Sequence, residues 1–261
     1  MSESDQRFGG ISRLYGTAAL ARFQSAHLAI IGIGGVGSWA TEALARSGIG
    51  QLTLVDLDDL CLTNVNRQIH ALSETVGKPK AAVMAERIQG INPECKVVVE
   101  QRFYSTKSSE EILTDDLDGV IDAIDSVQPK CHLIANCHQK EIPLIVSGGA
   151  GGRRNPAKIE SSDLSKTHGD ALLTQVRKKL RAEYGFPSGE KKSPLFGISA
   201  VFSSEPPVYP SASGCVTSER PEDLPGGLRC DAGYGTATHI TASFGLFAAG
   251  LLLDLLAEEV E

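Results

Sequence analysis

The chain has 261 residues, 41% of them apolar and 22% charged, and carries a formal net charge of −7. That length can bury a substantial core, and that balance excludes a disordered or low-complexity chain. A net negative charge also excludes a blanket affinity for nucleic acid.

The charge is uneven, however. Residues 150–200 hold ten Lys/Arg against five Asp/Glu, a local +5 that leaves −12 elsewhere and points to a polyanionic partner. The six cysteines (Cys61, Cys95, Cys131, Cys137, Cys215, Cys230) include no C-x-x-C pair, so no zinc site is expected. The opening "MSESDQRFGG" lacks the basic-then-apolar order of a signal peptide, and the expected compartment is a reducing cytoplasm.

In chain order, the apolar run Leu28–Ile31 is expected as a buried strand, Val36–Arg46 as the helix after it, and Leu52–Val55 as a second strand. "PKAAVMAERIQGINPEC" sets Ala82, Met84, Ala85 and Ile88 for an amphipathic helix that Asn92-Pro93 stops. Lys96–Glu100, Gly119–Ala123 and Leu144–Ser147 read as further strands, with a helix over Cys131–Lys140. Strands alternating with helices predict an α/β chain with a doubly wound, Rossmann-like, mostly parallel sheet.

After Ser147 the texture changes. "GGAGGRRNPAK" reads as a loop, and Leu173, Val176, Leu180 and Tyr184 fall at helical spacing. "PSGEKKSP" and "RPEDLPGG" read as mobile surface loops. Ala232–Leu253 lacks any formally charged residue and is long enough to span a bilayer. Its glycines and His239 favour a buried core or dimer-interface helix instead, with no obligatory membrane contact. With no repeat or clean linker, residues 1–261 read as one domain. Residues 28–150 form the nucleotide-binding core, and 151–261 form the part facing substrate or a dimer partner.

"GIGGVG" places Gly32, Gly34, Gly35 and Gly37 between strand and helix, where bare backbone lets phosphate oxygens approach N–H groups and the helix end. Asp56, ending the second strand, is placed to accept from a ribose. A nicotinamide dehydrogenase opens in the same way, so the downstream residues decide. An enzyme that cleaves ATP must neutralise a triphosphate and a leaving pyrophosphate with Arg, Lys and a metal-binding carboxylate. "DLDDLCLTNVNRQ" supplies Asp56, Asp58, Asn64, Arg67 and Gln68; "VGKPKA" supplies Lys78 and Lys80; "VIDAIDS" supplies Asp122 and Asp125. Singly, Arg67 could be a surface ion pair, Lys80 an exposed first-turn lysine and Asp125 a cap. Four motifs in order make joint coincidence small, and hydride transfer has no use for "NVNRQ" or "DAIDS".

From about Phe8 to Gly152 these motifs closely resemble the adenylation domain of ubiquitin-activating-like enzymes, the superfamily of molybdopterin and thiamin adenylyltransferases. The resemblance implies that fold type, an ATP site, and a homodimer. By it, Asp56 holds the ribose, Asn64, Arg67 and Lys80 hold phosphates, and Asp125 ligates Mg²⁺. Gly32, Gly34, Gly35, Gly37, Asp58 and Gln68 complete the expected ATP site. A catalytic arginine crossing to the neighbouring subunit would be Arg13 or Arg7 in "RFGGISRLYG". A monovalent cation, K⁺ or Na⁺, stays open.

"NRQIHAL", "VMAERIQGINPEC", "VIDAIDSVQPK", "SGGAGG" and "HITASFGLFAA" extend the likeness over nearly the whole chain, to the tRNA threonylcarbamoyladenosine dehydratase family. That resemblance implies ATP-dependent cyclisation of a threonylcarbamoyl group on tRNA through an acyl-adenylate. Arg153, Arg154, Arg177, Lys178, Lys179 and Arg181 are then the candidates for tRNA phosphates. The alternative is an adenylyltransferase for the C-terminus of a ubiquitin-like sulfur-carrier protein, although the paired C-x-x-C motifs usual there are absent. A cysteine-desulfurase sulfur-relay protein stays open as a partner. Cys215, expected in a crossover loop, and Cys230 are the candidate thioester thiols, and an incidental thiol is the preferred reading of both.

Overall fold

A computed structural model of the chain describes residues 3–189, 193–211, 213–219 and 235–260. Two helices open it, α1 (Glu3–Tyr15) and α2 (Thr17–Ser25). There follow β1 (His27–Ile31), α3 (Gly37–Arg46), β2 (Gln51–Val55), α4 (Lys80–Ile91), β3 (Lys96–Glu100), α5 (Ser109–Ile112), β4 (Gly119–Asp122), α6 (Val127–Gln139) and β5 (Leu144–Ser147). These five strands match their apolar runs to within a residue. Helix α6 begins four residues before the expected Cys131, because Pro129 falls in its first turn, where a missing N–H leaves no hydrogen bond unmade.

The remaining elements are β6 (Ile159–Asp163), α7 (Ala171–Glu183), β7 (Ser199–Ser203), the short pair β8 (Tyr209–Pro210) and β9 (Val216–Thr217), and α8 (Thr238–Glu258). The seven-stranded sheet runs β3-β2-β1-β4-β5-β7-β6. All its pairings are parallel except β6 with β7. The class is therefore the doubly wound α/β architecture the alternation predicts. Strands β6 and β7 were not expected. β6 reads Ile-Glu-Ser-Ser-Asp, a polar edge strand with no apolar run to announce it, and β7 reads Ser-Ala-Val-Phe-Ser, its short apolar run closed by a serine at each end.

Side-chain alternation along each strand feeds both faces of the sheet. Leu28 and Ile30 of β1 pack with Phe23, Leu44, Met84, Phe244 and Leu252 on one face. Ala29 and Ile31 join Val120, Leu133, Ile134, Val176 and Phe202 on the other. Helix α8 completes the first layer against α3, α2, β4, β5 and β7. It is long and apolar enough to cross a membrane, but 61% of its most apolar window is buried within the fold, which makes it a core helix.

Chain order reverses between β1 and β4, which lie side by side. In open α/β sheets the crevice beyond the carboxyl ends of two such strands is where ligands bind. Here that crevice lies between the β1–α3 turn and the turn after β4. Cys215 lies in the β8–β9 hairpin, where its carbonyl accepts from the Ser211 N–H at 2.9 Å. Cys230, Lys191, Lys192 and the whole of "RPEDLPGG" lie outside the described residues.

Candidate active site

The β1–α3 turn shows why its glycines are needed. Gly32 has φ +94, in the left-handed region, and a Cβ there would sit 3.0 Å from the Ala123 carbonyl oxygen. A Cβ on Gly37 would lie 1.8 Å from the Gly32 oxygen, so the turn closes only without one. Gly35 packs against Arg67 and Thr241, while Gly34 faces open space. The turn delivers the N-terminus of α3, with its unpaired N–H groups, to the crevice.

Asp56 fixes this turn from the end of β2. Its carboxylate accepts the Ile33 N–H at 2.7 Å and the Asp58 N–H at 2.9 Å, and it is buried. Burial pushes its carboxyl above the usual range, while Lys80 and the two N–H groups pull the other way. Lys80, the first residue of α4, is buried, unlike an ordinary exposed first-turn lysine. Its ammonium meets the Asp58 carboxylate at 2.8 Å. Asp56, Asp58, Gly32, Tyr104, Ser126 and Asp125 line an outer compartment of about 520 Å³, within the usual range for small-molecule sites.

Arg67 belongs to a second, inner compartment. Its guanidinium donates to the Thr63 carbonyl at 2.7 Å and to Asn66 Oδ1 at 3.0 Å, and its own carbonyl accepts from Trp39 Nε1 at 3.0 Å. Asn64 does not line either compartment. It accepts the Cys61 N–H at 3.0 Å and so shapes the short turn that presents Arg67. Gln68 is buried beside it and also stays off both linings. Gly35, Arg67, Ser147–Gly149, Arg153, Asp170 and Thr241 form the inner walls.

The two compartments share Ala123, Ile124 and Asp125. Asp125 is exposed on the turn after β4, at the junction. The wall opposite Arg67 was not assigned from sequence as part of the site. Asp170 caps α7 through the Leu173 N–H and also accepts the Gly149 N–H, both at 2.8 Å. A Cβ on Gly148 would come within 2.4 Å of that carboxylate. The available signal was position: Ser147 ends β5, at the same carboxyl edge as Asp125.

Other expected residues lie elsewhere. Arg13 is exposed in the last turn of α1, Arg7 donates to the Ile91 carbonyl at 3.3 Å, and neither lines a compartment. The six candidate tRNA contacts do not form one solvated face. Arg153 is buried in the inner wall. Arg177 donates to Thr167 and Thr174, Arg181 to the Pro187 carbonyl while stacking 5.3 Å over Phe196, and Lys179 to Glu183 at 2.7 Å. Arg154 and Lys178 are exposed.

Chemically, the cleft offers a carboxylate for a ribose, the Arg67 and Arg153 cations of the inner wall, and a carboxylate at the compartment junction, while Lys80 lines neither compartment and stands behind Asp58. Mg²⁺ is usually held by one or two carboxylates together with substrate phosphates, and Asp125 beside a phosphate fits that donor set. Zinc would need more: among the described residues no group of three or more His, Cys, Asp or Glu side chains is gathered.

The model of the ThiF family matches residues 10–256. The tRNA threonylcarbamoyladenosine dehydratase of Haemophilus influenzae is 49% identical over 256 residues, spanning 98% of this chain and 95% of the relative. The solved structure of E. coli tRNA N6-threonylcarbamoyladenosine dehydratase in complex with ATP superposes with a TM-score of 0.87 at 45% identity, covering 99% of this chain and 97% of that one. The molybdopterin-synthase adenylyltransferase of Salmonella typhimurium, at 33% identity, matches over only 49% of this chain and 50% of its own. The chain belongs to the ThiF family and, within it, to the tRNA threonylcarbamoyladenosine dehydratases.

Proposed function

We propose that this chain is an ATP-dependent enzyme that cyclises the threonylcarbamoyl group of a modified adenosine in tRNA, with loss of water. The observation that carries the reading is the pair of compartments meeting at Asp125, one walled by Asp56 and the other by Arg67. ATP lies with its ribose on Asp56 and its phosphates toward the junction. The substrate carboxylate reaches the junction from the inner compartment.

A free carboxylate is a poor electrophile, because its leaving group would be oxide. In the proposed reaction one carboxylate oxygen bonds to the α-phosphorus as the bond to the departing pyrophosphate breaks. The resulting acyl-adenylate has AMP as leaving group. A nucleophilic atom of the same carbamoyl group then attacks the carbonyl and expels AMP, which carries off the former carboxylate oxygen. Loss of that oxygen and two protons amounts to one water. No nucleophile from the protein is needed.

Arg67 and Lys80 stabilise the charge that builds on the phosphates. Mg²⁺, held by Asp125 and phosphate oxygens, would neutralise further charge there. Residues 28–150 thus carry the nucleotide side, and the later chain carries the acyl side. The working form is a homodimer in which Arg13, exposed on α1, approaches the neighbouring cleft. The tRNA phosphates meet Arg154 and Lys178 first.

The test is to incubate the purified chain with ATP, Mg²⁺ and threonylcarbamoylated tRNA, following AMP release and the mass of the modified nucleoside. Loss of one water with stoichiometric AMP is expected, and Arg67→Ala should lower turnover about 100-fold. Unchanged nucleoside mass, with pyrophosphate exchange stimulated instead by a carrier protein ending in Gly-Gly, would overturn the reading.

A further inference from the structure

Beneath the turn that carries Asp125 lies an ion pair that the proposed chemistry does not use. Asp122 and Lys130 are both fully buried, with the ammonium 3.0 Å from Asp122 Oδ1. Burial pushes the Asp122 carboxyl above its ordinary range and Lys130 opposes it. Such a pair is a poor stabilising device, since its desolvation commonly cancels its attraction and apolar replacements are often neutral or better. Its hydrogen bonds show what else it does. The Ile124 N–H donates to Asp122 Oδ1 at 3.0 Å, and Lys130 Nζ donates to the Ile124 carbonyl at 2.9 Å. That carbonyl belongs to the planar peptide unit joining Ile124 to Asp125, so holding it sets the direction in which Asp125 leaves the sheet. The Ala123 N–H, bonded to the Ile31 carbonyl at 2.9 Å, anchors the other end of the turn to β1.

We propose that Asp122 and Lys130 are positioning residues: together they lock the 123–125 turn so that the Asp125 carboxylate stands at the junction of the two compartments. The inference rests on Asp125 being the metal-binding carboxylate of the proposed reaction and extends that role to a pair that touches neither substrate nor metal. Lys130 acts from the second turn of α6, so the helix, the end of β4 and the site turn form one rigid unit.

The test replaces the pair by a neutral one of similar volume, Asp122→Asn with Lys130→Met. The introduced asparagine can still accept from the Ile124 N–H, while the introduced methionine cannot donate to the Ile124 carbonyl. Mn²⁺ serves as the probe, titrated into the protein with a non-hydrolysable ATP analogue and read from the free-ion resonance. Metal-free AMP affinity reports the ribose side separately. Mn²⁺ affinity should weaken about tenfold, as it does when an outer partner of a metal-binding carboxylate is lost, with AMP affinity held within about twofold. A folded double variant with native Mn²⁺ affinity and native turnover overturns the proposal. If the double variant does not fold, Lys130→Met alone decides on the same readouts, since it removes the donor to the Ile124 carbonyl while the buried Asp122 carboxyl can take up a proton: a loss of Mn²⁺ affinity in the same direction supports the proposal, and no change overturns it. Asp125→Asn run alongside separates the two levels. If it too leaves Mn²⁺ affinity and turnover intact, the role of Asp125 itself is wrong; if it loses both while the pair variant loses neither, only the role of the pair fails.

Discussion

His70 shows how far a single side chain in the site loop departs from its solution behaviour. It is buried, with neither ring nitrogen hydrogen-bonded among the described residues. Burial, reinforced by the nearby Lys80 and Arg87 cations, lowers the imidazole from 6.5 to about 4. The unfolded chain therefore takes up this proton first as pH falls. Stability from the neutral ring is complete above pH 6.5 and is lost between there and pH 4, by roughly 3 kcal/mol in all. Asp56 has the opposite sign: its raised carboxyl means that acidification relieves the cost of burying its charge. Urea midpoints measured across this window should fall with pH in the native chain and flatten in His70→Leu; equal slopes would refute the assignment. Legibility at this scale followed chemistry. Asp56, Arg67 and Asp125, singled out in the sequence by their chemistry, all line the cleft, although Asp56 and Arg67 also hold local backbone there. Asn64 and Gln68, read as phosphate or ATP ligands, line neither compartment: a short amide caps a turn as readily as it binds a ligand, as Asn64 does here, and Gln68 is buried beside it.

Among elements, the decisive contact is that of α3 with α8. Gly245 lets the two helices meet: a Cβ there would fall 2.4 Å from the Val36 carbonyl oxygen and 2.8 Å from the Ala40 nitrogen. These are backbone atoms and cannot rotate away, so Gly245→Ala must push α8 outward. The expected cost is about 1–3 kcal/mol of overpacking, seen as a lower thermal midpoint. Turnover of the tRNA substrate should fall with it, since Val36 and Thr241 line the inner compartment, the acyl side, from these same helices. Strands β1, β2, β4 and β5 were legible because each is an apolar run buried on both faces, and the half-exposed β3 because three valines stand together in it. Strands β6 and β7 were not, since β6 alternates nothing and owes its place to pairing with β7. Helices α1 and α2 were missed for a related reason: only Ala19, Leu20 and Phe23 of α2 are buried, too few to set up a clear period.

The whole molecule is acidic yet, as a tRNA-modifying enzyme, must bind a polyanion, so its cationic groups have to work by placement. Of the basic 150–200 segment, Arg153 has gone to the cleft and Arg177, Lys179 and Arg181 to contacts within the fold. Sequence could count these charges but could not see which were already engaged. Arg154→Glu and Lys178→Glu should each weaken tRNA binding and reduce the slope of log affinity against log salt by about 1, while AMP affinity is unchanged. Arg181→Glu should lower the thermal midpoint more than it changes that slope. A single common effect for all three would show that the charge acts as a diffuse field instead of at discrete contacts.

The shared wall of Ala123, Ile124 and Asp125 also bears on kinetics. The two linings have these three residues in common. In the proposed reaction a substitution along that wall touches the nucleotide side and the acyl side at once, so a change in KM for ATP should be mirrored in the KM for tRNA.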